Sequence, residues 1–387
     1  MARISIKPTW VLTSTGGDRL EPQLFRLLRA VHETGKLTLA TERLGLSYRH
    51  AWALLAKWAN VFGAPLVWME RGKGAQLTSL GEKFLWAEQR MAASLFPQLE
   101  NIASELNAEI GKVQPQQAPS LRIHASHCYV VEKLPESSRR FGGVEIELRY
   151  MGSTEALASL TRAQCHLAGF HIPIGEMAPV VWASYAQWIR PAQQRVIRLV
   201  TRTQGLIVTR GNPLKIRSLA DMRRRGVKVV NRQPGSGTRL LFDGLLRAAG
   251  IDAKKIVGYD SGEFTHAAVA AFVASGVANV GLGVEPAARQ FNLDFIPLIT
   301  ERYMLACNTK TLVTPAVKDL IALLKDPAFG KMVDAVPGYA PDQPGAVIAF
   351  EEILASLGKL TPRVVAQEVA PPAPSNTRKG PLSKSKR

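Results

Sequence analysis

The sequence predicts an α/β chain in two unequal parts: a helix-rich N-terminal head with a small hairpin, joined by a long helix to a two-lobe α/β body. Three observations point there. Apolar residues recur at three- and four-residue intervals from residue 39 to about 106. A polar, proline-bearing stretch, residues 114–119 (QPQQAP), then interrupts the pattern. Beyond it, short alternating or β-branched runs are each followed by helix-forming material. A chain of 387 residues with 46% hydrophobic content has room for two or three domains of ordinary soluble composition.

The head is read first. Leu39, Ala40 and Leu44 are apolar at helical spacing and Gly45 follows as a stop, so residues 38–44 predict a short helix. Ser47 is the N-cap candidate of a second helix, on which Ala51, Leu54, Leu55, Trp58 and Phe62 form one buried stripe. Tyr48, Arg49, Trp52 and Lys57 share the opposite face. Residues 66–68 and 75–77 then read as two strands around the tip Arg71-Gly72-Lys73-Gly74. The whole is a winged helix-turn-helix, and its expected partner is double-stranded DNA. The second helix would enter a major groove, where Arg49 suits guanine or phosphate, and the tip would lie on the backbone. Ser47, Tyr48, Arg49, His50, Trp52, Lys57, Arg71 and Lys73 are the candidate contacts, although Trp52 fits a core position equally well.

These residues carry a resemblance. Gly35, Ala40, Leu44, Gly45, the run SYRHAW at 47–52, RGKG at 71–74 and LTSLG at 77–81 resemble the N-terminal domain of LysR-type regulators, and more closely the ModE-type branch that includes molybdate-responsive regulators. The head is assigned to residues 1–81 and a linker helix to 82–112. The resemblance implies that this helix dimerises, giving a homo-oligomer, dimer or tetramer. Phe84, Leu85, Met91, Leu95, Leu99, Ile102 and Leu106 supply its apolar face, and Pro97 is expected to kink or divide it.

Charge narrows the classes without selecting the head. The net charge is +18, yet residues 1–110 hold thirteen cations against ten carboxylates, so most of the excess lies further on and supports polyanion contact only in general terms. Residues 361–387, rich in Pro and Ala and then basic, predict a disordered tail. Cys128, Cys165 and Cys307 are odd in number and widely spaced, which favours reduced buried thiols over a disulfide framework or metal site. No signal peptide or apolar span is apparent, and a cytoplasmic protein without membrane partners is expected.

Residues 120–360 form the predicted body. Strands are expected at 121–125, 144–150, 227–230 and 280–284, mostly parallel in open α/β sheets. Three polar loops follow strands. The run NRQPGSGTR at 231–239 stands before an apolar helix, where Ser236, Gly237, Thr238, Arg239 and the positive helix end suit an anion. Gly152, Ser153 and Thr154 open a second such helix, and Ser126 with His127 follows the first strand. All three fall where open α/β domains bind ligands, although helix capping alone would also explain the hydroxyls.

Residues 231–239, Gly258-Tyr259, the run EFTH at 263–266, Gly276 and Gly281-Leu282-Gly283 resemble type 2 periplasmic-binding-protein folds. That resemblance implies a ligand cleft crossed twice by the chain, with crossings near 183–202 and 303–309. It also places Glu263, Thr265 and His266 at the cleft border. The expected effector is a small anion, either molybdate or tungstate or a carboxylate such as formate. No cofactor, metal site or catalytic residue is expected: no nucleotide-phosphate loop, nucleophile elbow or HExxH helix is present. An oxyanion storage or delivery protein, or an enzyme acting on a small acid, are the alternatives.

Overall fold

A computed structural model describes residues 4–12, 18–70, 74–113 and 120–357. The head begins with a minimal hairpin, β1 (Val11–Leu12) and β2 (Asp18–Arg19), which no sequence pattern announced. It continues through α1 (Pro22–Thr34), α2 (Leu37–Leu44) and α3 (Tyr48–Phe62) to the antiparallel pair β3 (Val67–Glu70) and β4 (Gly74–Leu77). Gly45 ends α2 at φ 64°, the left-handed conformation that makes the sharp turn into α3 accessible. Leu24, Leu28, Ala40, Ala51, Leu55, Trp58 and Leu66 close one core over these elements. The predicted tip residues Arg71 and Lys73, the 114–119 linker and the 361–387 tail lie outside the described residues.

The linker helix α4 (Ser79–Val113) is 35 residues long and continues through Pro97. The expected division does not occur, because flanking packing holds the helix together: Ala93, Pro97 and Ala103 are all buried.

The first lobe follows, with β5 (Ser120–Ala125), α5 (Leu134–Arg140), β6 (Glu145–Tyr150), α6 (Ser153–Thr161), β7 (Leu167–Pro173) and α7 (Ala178–Tyr185). The long strand β8 (Gln194–Val208) leads into the second lobe, formed by β9 (Val229–Arg232), α8 (Gly237–Ala248), β10 (Gly262–Glu263), α9 (His266–Ala274), β11 (Val280–Val284) and α10 (Glu285–Gln290). A second long strand, β12 (Asp294–Asn308), returns. The described chain closes with α11 (Thr309–Leu312), α12 (Pro315–Lys325), α13 (Pro327–Asp334), β13 (Tyr339–Pro341), β14 (Val347–Ile348) and α14 (Phe350–Leu357).

One sheet runs through both lobes in the order β10-β9-β11-β8-β12-β7-β5-β6, with β13 and β14 also on β8. Pairs within each lobe are parallel, as expected, but β8 and β12 are antiparallel to each other and to their neighbours β11 and β7. Residues 204–208 of β8 pair with β11 and residues 301–307 of β12 pair with β7. The chain therefore changes lobes near 201–204 and 297–301, the latter at a register shift after Pro297. Both crossings fall close to the edges of the predicted spans. Alternation along β8 sends Ile197 and Ile207 to one core and Val196, Leu206 and Val208 to the other, so each face of the sheet carries its own. No helix among the described residues is long and apolar enough to cross a membrane.

Candidate functional site

On the head, α3 presents two kinds of side chain. Ala51, Leu54, Leu55 and Trp58 are buried, while Tyr48 and Trp52 stand 49% and 50% exposed beside exposed Arg49 and His50. With half of its surface in solvent, Trp52 belongs to the surface of α3 rather than to the core. The Ser47 hydroxyl is occupied as the N-cap, accepting from the His50 N–H at 3.1 Å. His50 is in hydrogen-bond contact with Gln23 at 3.0 Å. Lys57, exposed on the same helix, pairs with Glu21 and lies over the Trp58 ring at 4.9 Å. Glu21 also accepts from the Trp58 indole at 2.6 Å, so the Lys57 ammonium is held at the surface by a carboxylate that is itself anchored to the head's core.

In the body, the polar loops of the two lobes meet. A Cβ on Gly237, at the start of α8, would collide with the His171 ring and the Tyr185 hydroxyl, and one on Gly152 with the Gly235 carbonyl. The N-termini of α6 and α8 thus touch across the crossing strands, over a buried polar cluster. Its centre is Glu301 on β12. The Glu301 carboxylate accepts from Arg202 Nε at 2.5 Å and from Gln204 Nε2 at 2.9 Å, and lies 2.9 Å from His171 Nδ1. Gln204 also donates to the Thr238 hydroxyl at 3.0 Å, and Arg202 to the His127 carbonyl at 3.2 Å. The Tyr303 hydroxyl donates to the Ser126 carbonyl at 2.7 Å.

The charges do not balance. Arg202 and Arg232 are both buried, whereas Glu301 is the only carboxylate in direct contact with the cluster's guanidinium groups among the described residues. Burial pushes the Glu301 carboxyl up, but Arg202 and His171 outweigh it and hold it at about 2. Burial works against the Arg202 cation, and Glu301 overcomes this and raises it. Burial and then Arg202 push Arg232 down, and the nearby Glu301 and Glu263 carboxylates offset this only in part; its donors reach the carbonyls of Glu263 at 3.1 Å and Phe264 at 2.7 Å. Burial also lowers His171, and burial with Arg232 and Arg202 drives His266 well down. Both imidazoles are pushed toward the neutral form, so the two buried guanidinium groups of the cluster share, among the described residues, the one buried carboxylate of Glu301, with Glu132 at the rim 3.6 Å from His127 Nε2. His266 has no partner for either ring nitrogen, nor has His127 for Nδ1.

Of the sequence candidates, Ser126, His127, Ser153, Gly237, Thr238 and His266 come together here, with Thr154 half-buried at their edge. Ser153 is fully buried and faces the Tyr185 hydroxyl. Ser236 is committed as the cap of α8, accepting from the Arg239 N–H and donating to the Gln233 carbonyl. Three candidates turn elsewhere. Arg239 pairs with Asp243 at 3.0 Å and stacks 4.1 Å over Tyr259. Glu263 lies against Arg90 and Ser94 of α4, where burial raises it. The Thr265 hydroxyl caps α9 and bonds to α4. Arg202, Gln204, Arg232, Glu301, His171 and Tyr303 were missed. The available signal was charge and amide inside otherwise apolar strands, at 202, 204 and 301.

Comparison with known proteins agrees with this division. Residues 22–82 match the model for "Bacterial regulatory helix-turn-helix protein, lysR family", and residues 134–325 match the PBP superfamily domain. The chain is 30% identical over 251 residues to the uncharacterised protein YvgK of Bacillus subtilis, covering 64% of this chain and 79% of that one. It is 33% identical over 107 residues to the molybdenum-pterin-binding protein MopB of Rhodobacter capsulatus, covering 27% and 40%. Among solved structures, CbnR, a LysR family transcriptional regulator, aligns at 18% identity over 78% of this chain and 99% of that chain, with a TM-score of 0.37. An ABC-type phosphate transport receptor from Vibrio cholerae aligns at 14% over 58% and 100%, with a TM-score of 0.42.

Proposed function

We propose that this chain, a member of the LysR-type family by its lysR-family helix-turn-helix and its PBP superfamily domain, acts as a regulator of transcription, and that a small anion held between its lobes controls its binding to double-stranded DNA. The observation that carries this reading is the buried Arg232 guanidinium, hydrogen-bonded to carbonyls and without a carboxylate in direct contact, near the unpartnered ring nitrogens of His266 and the unpartnered Nδ1 of His127. A buried charge that is only partly offset is costly, and an anion there would relieve it while accepting from those donors. The N-terminus of α8 adds its own positive potential. Molybdate, tungstate and small carboxylates such as formate all fit that chemistry, and the likeness to MopB puts molybdate first among the oxyanions to try.

On the DNA side, Tyr48, Arg49, His50 and Trp52 form the reading face, with Arg71 and Lys73 on the wing. Along α4, Leu95, Ile102, Leu106 and Ile110 are exposed at helical spacing around half-buried Leu99, a seam suited to a second copy, so the working unit is a homo-oligomer. Contact with DNA implies a cytoplasmic setting on this reading.

Thermal-shift titration of the full chain with molybdate, tungstate, formate and acetate tests the effector reading. A bound anion stabilises the state that holds it. One of these salts is expected to raise the melting temperature saturably in the wild type and not in Arg232→Gln. Equal shifts in both proteins would remove Arg232 from the site.

A further inference from the structure

Three consecutive residues, 263–265, link Arg232 to the break that Pro97 makes in the hydrogen bonding of the linker helix. Proline has no N–H, so Pro97 deprives the Ala93 carbonyl of its intrahelical donor. Ala93 is buried, and a buried carbonyl left unpaired is destabilising. The Thr265 hydroxyl donates to that carbonyl at 2.8 Å while accepting from the Ala268 N–H at 2.9 Å as the N-cap of α9. A single side chain thus caps a second-lobe helix and fills the gap in α4. Just before it lie the Glu263 and Phe264 carbonyls that hold Arg232, and just after it lies His266. One turn earlier on α4, Arg90 sits 4.6 Å over the Phe272 ring of α9.

Beyond the proline, α4 is fastened to the other lobe. Asn101 Nδ2 donates to the Tyr150 carbonyl at 2.7 Å and its Oδ1 accepts from the Tyr150 N–H at 2.8 Å. Arg149 pairs with Glu105 at 2.5 Å. The linker helix is therefore tied to the second lobe before Pro97 and to the first lobe after it, with its weakest point between the ties.

We propose that α4 is the element that reads the inter-lobe site: a change of partner at Arg232 is passed through residues 263–265 to the Ala93 carbonyl and alters the bend of α4 at Pro97, and with it the placement of the head. This rests on the reading that the anion engages Arg232. An anion that takes donors from Arg232 loosens its hold on the Glu263 and Phe264 carbonyls. The Thr265 hydroxyl then shifts against a carbonyl that has no other donor. Both lobes bias one two-state element, which is the physical requirement for coupling the sites.

Hydrogen–deuterium exchange on the full chain tests this, followed across residues 94–101 with and without sodium molybdate or sodium formate. Without added anion, Thr265→Val and Arg232→Gln are expected to speed exchange there by about tenfold, the scale of one lost buried hydrogen bond. Thr265→Ser, which keeps the hydroxyl, leaves exchange near wild type. Pro97→Ala restores the missing N–H and suppresses the Thr265→Val effect, a non-additivity that separate damage would not produce. If Arg232→Gln fails to fold, the Thr265 and Pro97 variants carry the test. Exchange at 94–101 that ignores Thr265→Val, with or without Pro97→Ala, overturns the coupling. Substitutions that propagate to α4 in a chain that binds neither anion would uphold the coupling and reject the anion reading. Anion binding that leaves α4 unchanged would do the reverse.

Discussion

Single residues set the electrostatics of the cleft, and their protonation makes stability depend on pH. Burial lowers His171 and His266, and with Arg149 and Arg122 it takes His124 down to about 4, whereas an unfolded imidazole titrates near ~6.5. Below that value the unfolded chain binds more protons than the folded one, so stability falls with falling pH by up to about 1.4 kcal/mol per unit for each such histidine. Glu301, held at about 2, contributes above the unfolded carboxylate range and loses its contribution only as pH falls toward 2. The melting temperature of the full chain should therefore decline between pH 6.5 and 5, and more gently in His266→Gln. A wild-type profile that is flat over this window would mean that these imidazoles are solvated. Ser126, His127 and Thr238 were legible in the sequence because polar residues after a strand have a known use, and His266 through the binding-protein resemblance. Arg202 and Glu301 were not, because they are paired across 99 positions of chain and local patterning cannot show which charge inside an apolar strand finds a partner.

At the scale of elements, α3 and α8 carry the two proposed functions. The α3 stripe was readable because 3.6-residue periodicity separates its buried face from Tyr48, Arg49 and Trp52 without knowledge of the rest of the fold. Arg49→Ala should weaken operator binding in a mobility-shift titration by about tenfold, within the ~1–3 kcal/mol of a good base contact. Lys57→Ala should change it much less, since Lys57 is engaged with Glu21. An Arg49→Ala protein with unchanged specific affinity would dismiss its assigned role. The start of α8 is a contact surface. Gly237→Ala places a methyl against His171 and Tyr185, so it should hold the lobes apart and reduce the anion-induced thermal shift, whereas a full shift would show that closure does not bring these elements together. The continuity of α4 through Pro97 was not legible, because the partner that satisfies Ala93 lies 172 positions away.

For the whole molecule, the two-part organisation was readable from the 114–119 linker and from the switch of apolar period on either side of it. The single mixed sheet was not, because strands β8 and β12 join the lobes through pairings far apart in sequence. The charge distribution also belongs to this scale. Most of the +18 lies outside the head, so on the proposed reading the specificity of DNA binding rests on side chains such as those of α3 rather than on bulk attraction. The central claim is that the occupancy of one buried site, some two hundred positions from α3, governs that binding. Operator affinity of the full chain should be measured by titration over a series of molybdate, tungstate, formate and acetate concentrations, in the wild type and in Arg232→Gln. The account predicts that one anion changes the wild-type dissociation constant by about tenfold, a coupling of about 1.4 kcal/mol, and leaves that of Arg232→Gln unmoved. Specific operator binding that no anion alters, or that the same anion alters equally in both proteins, would contradict it.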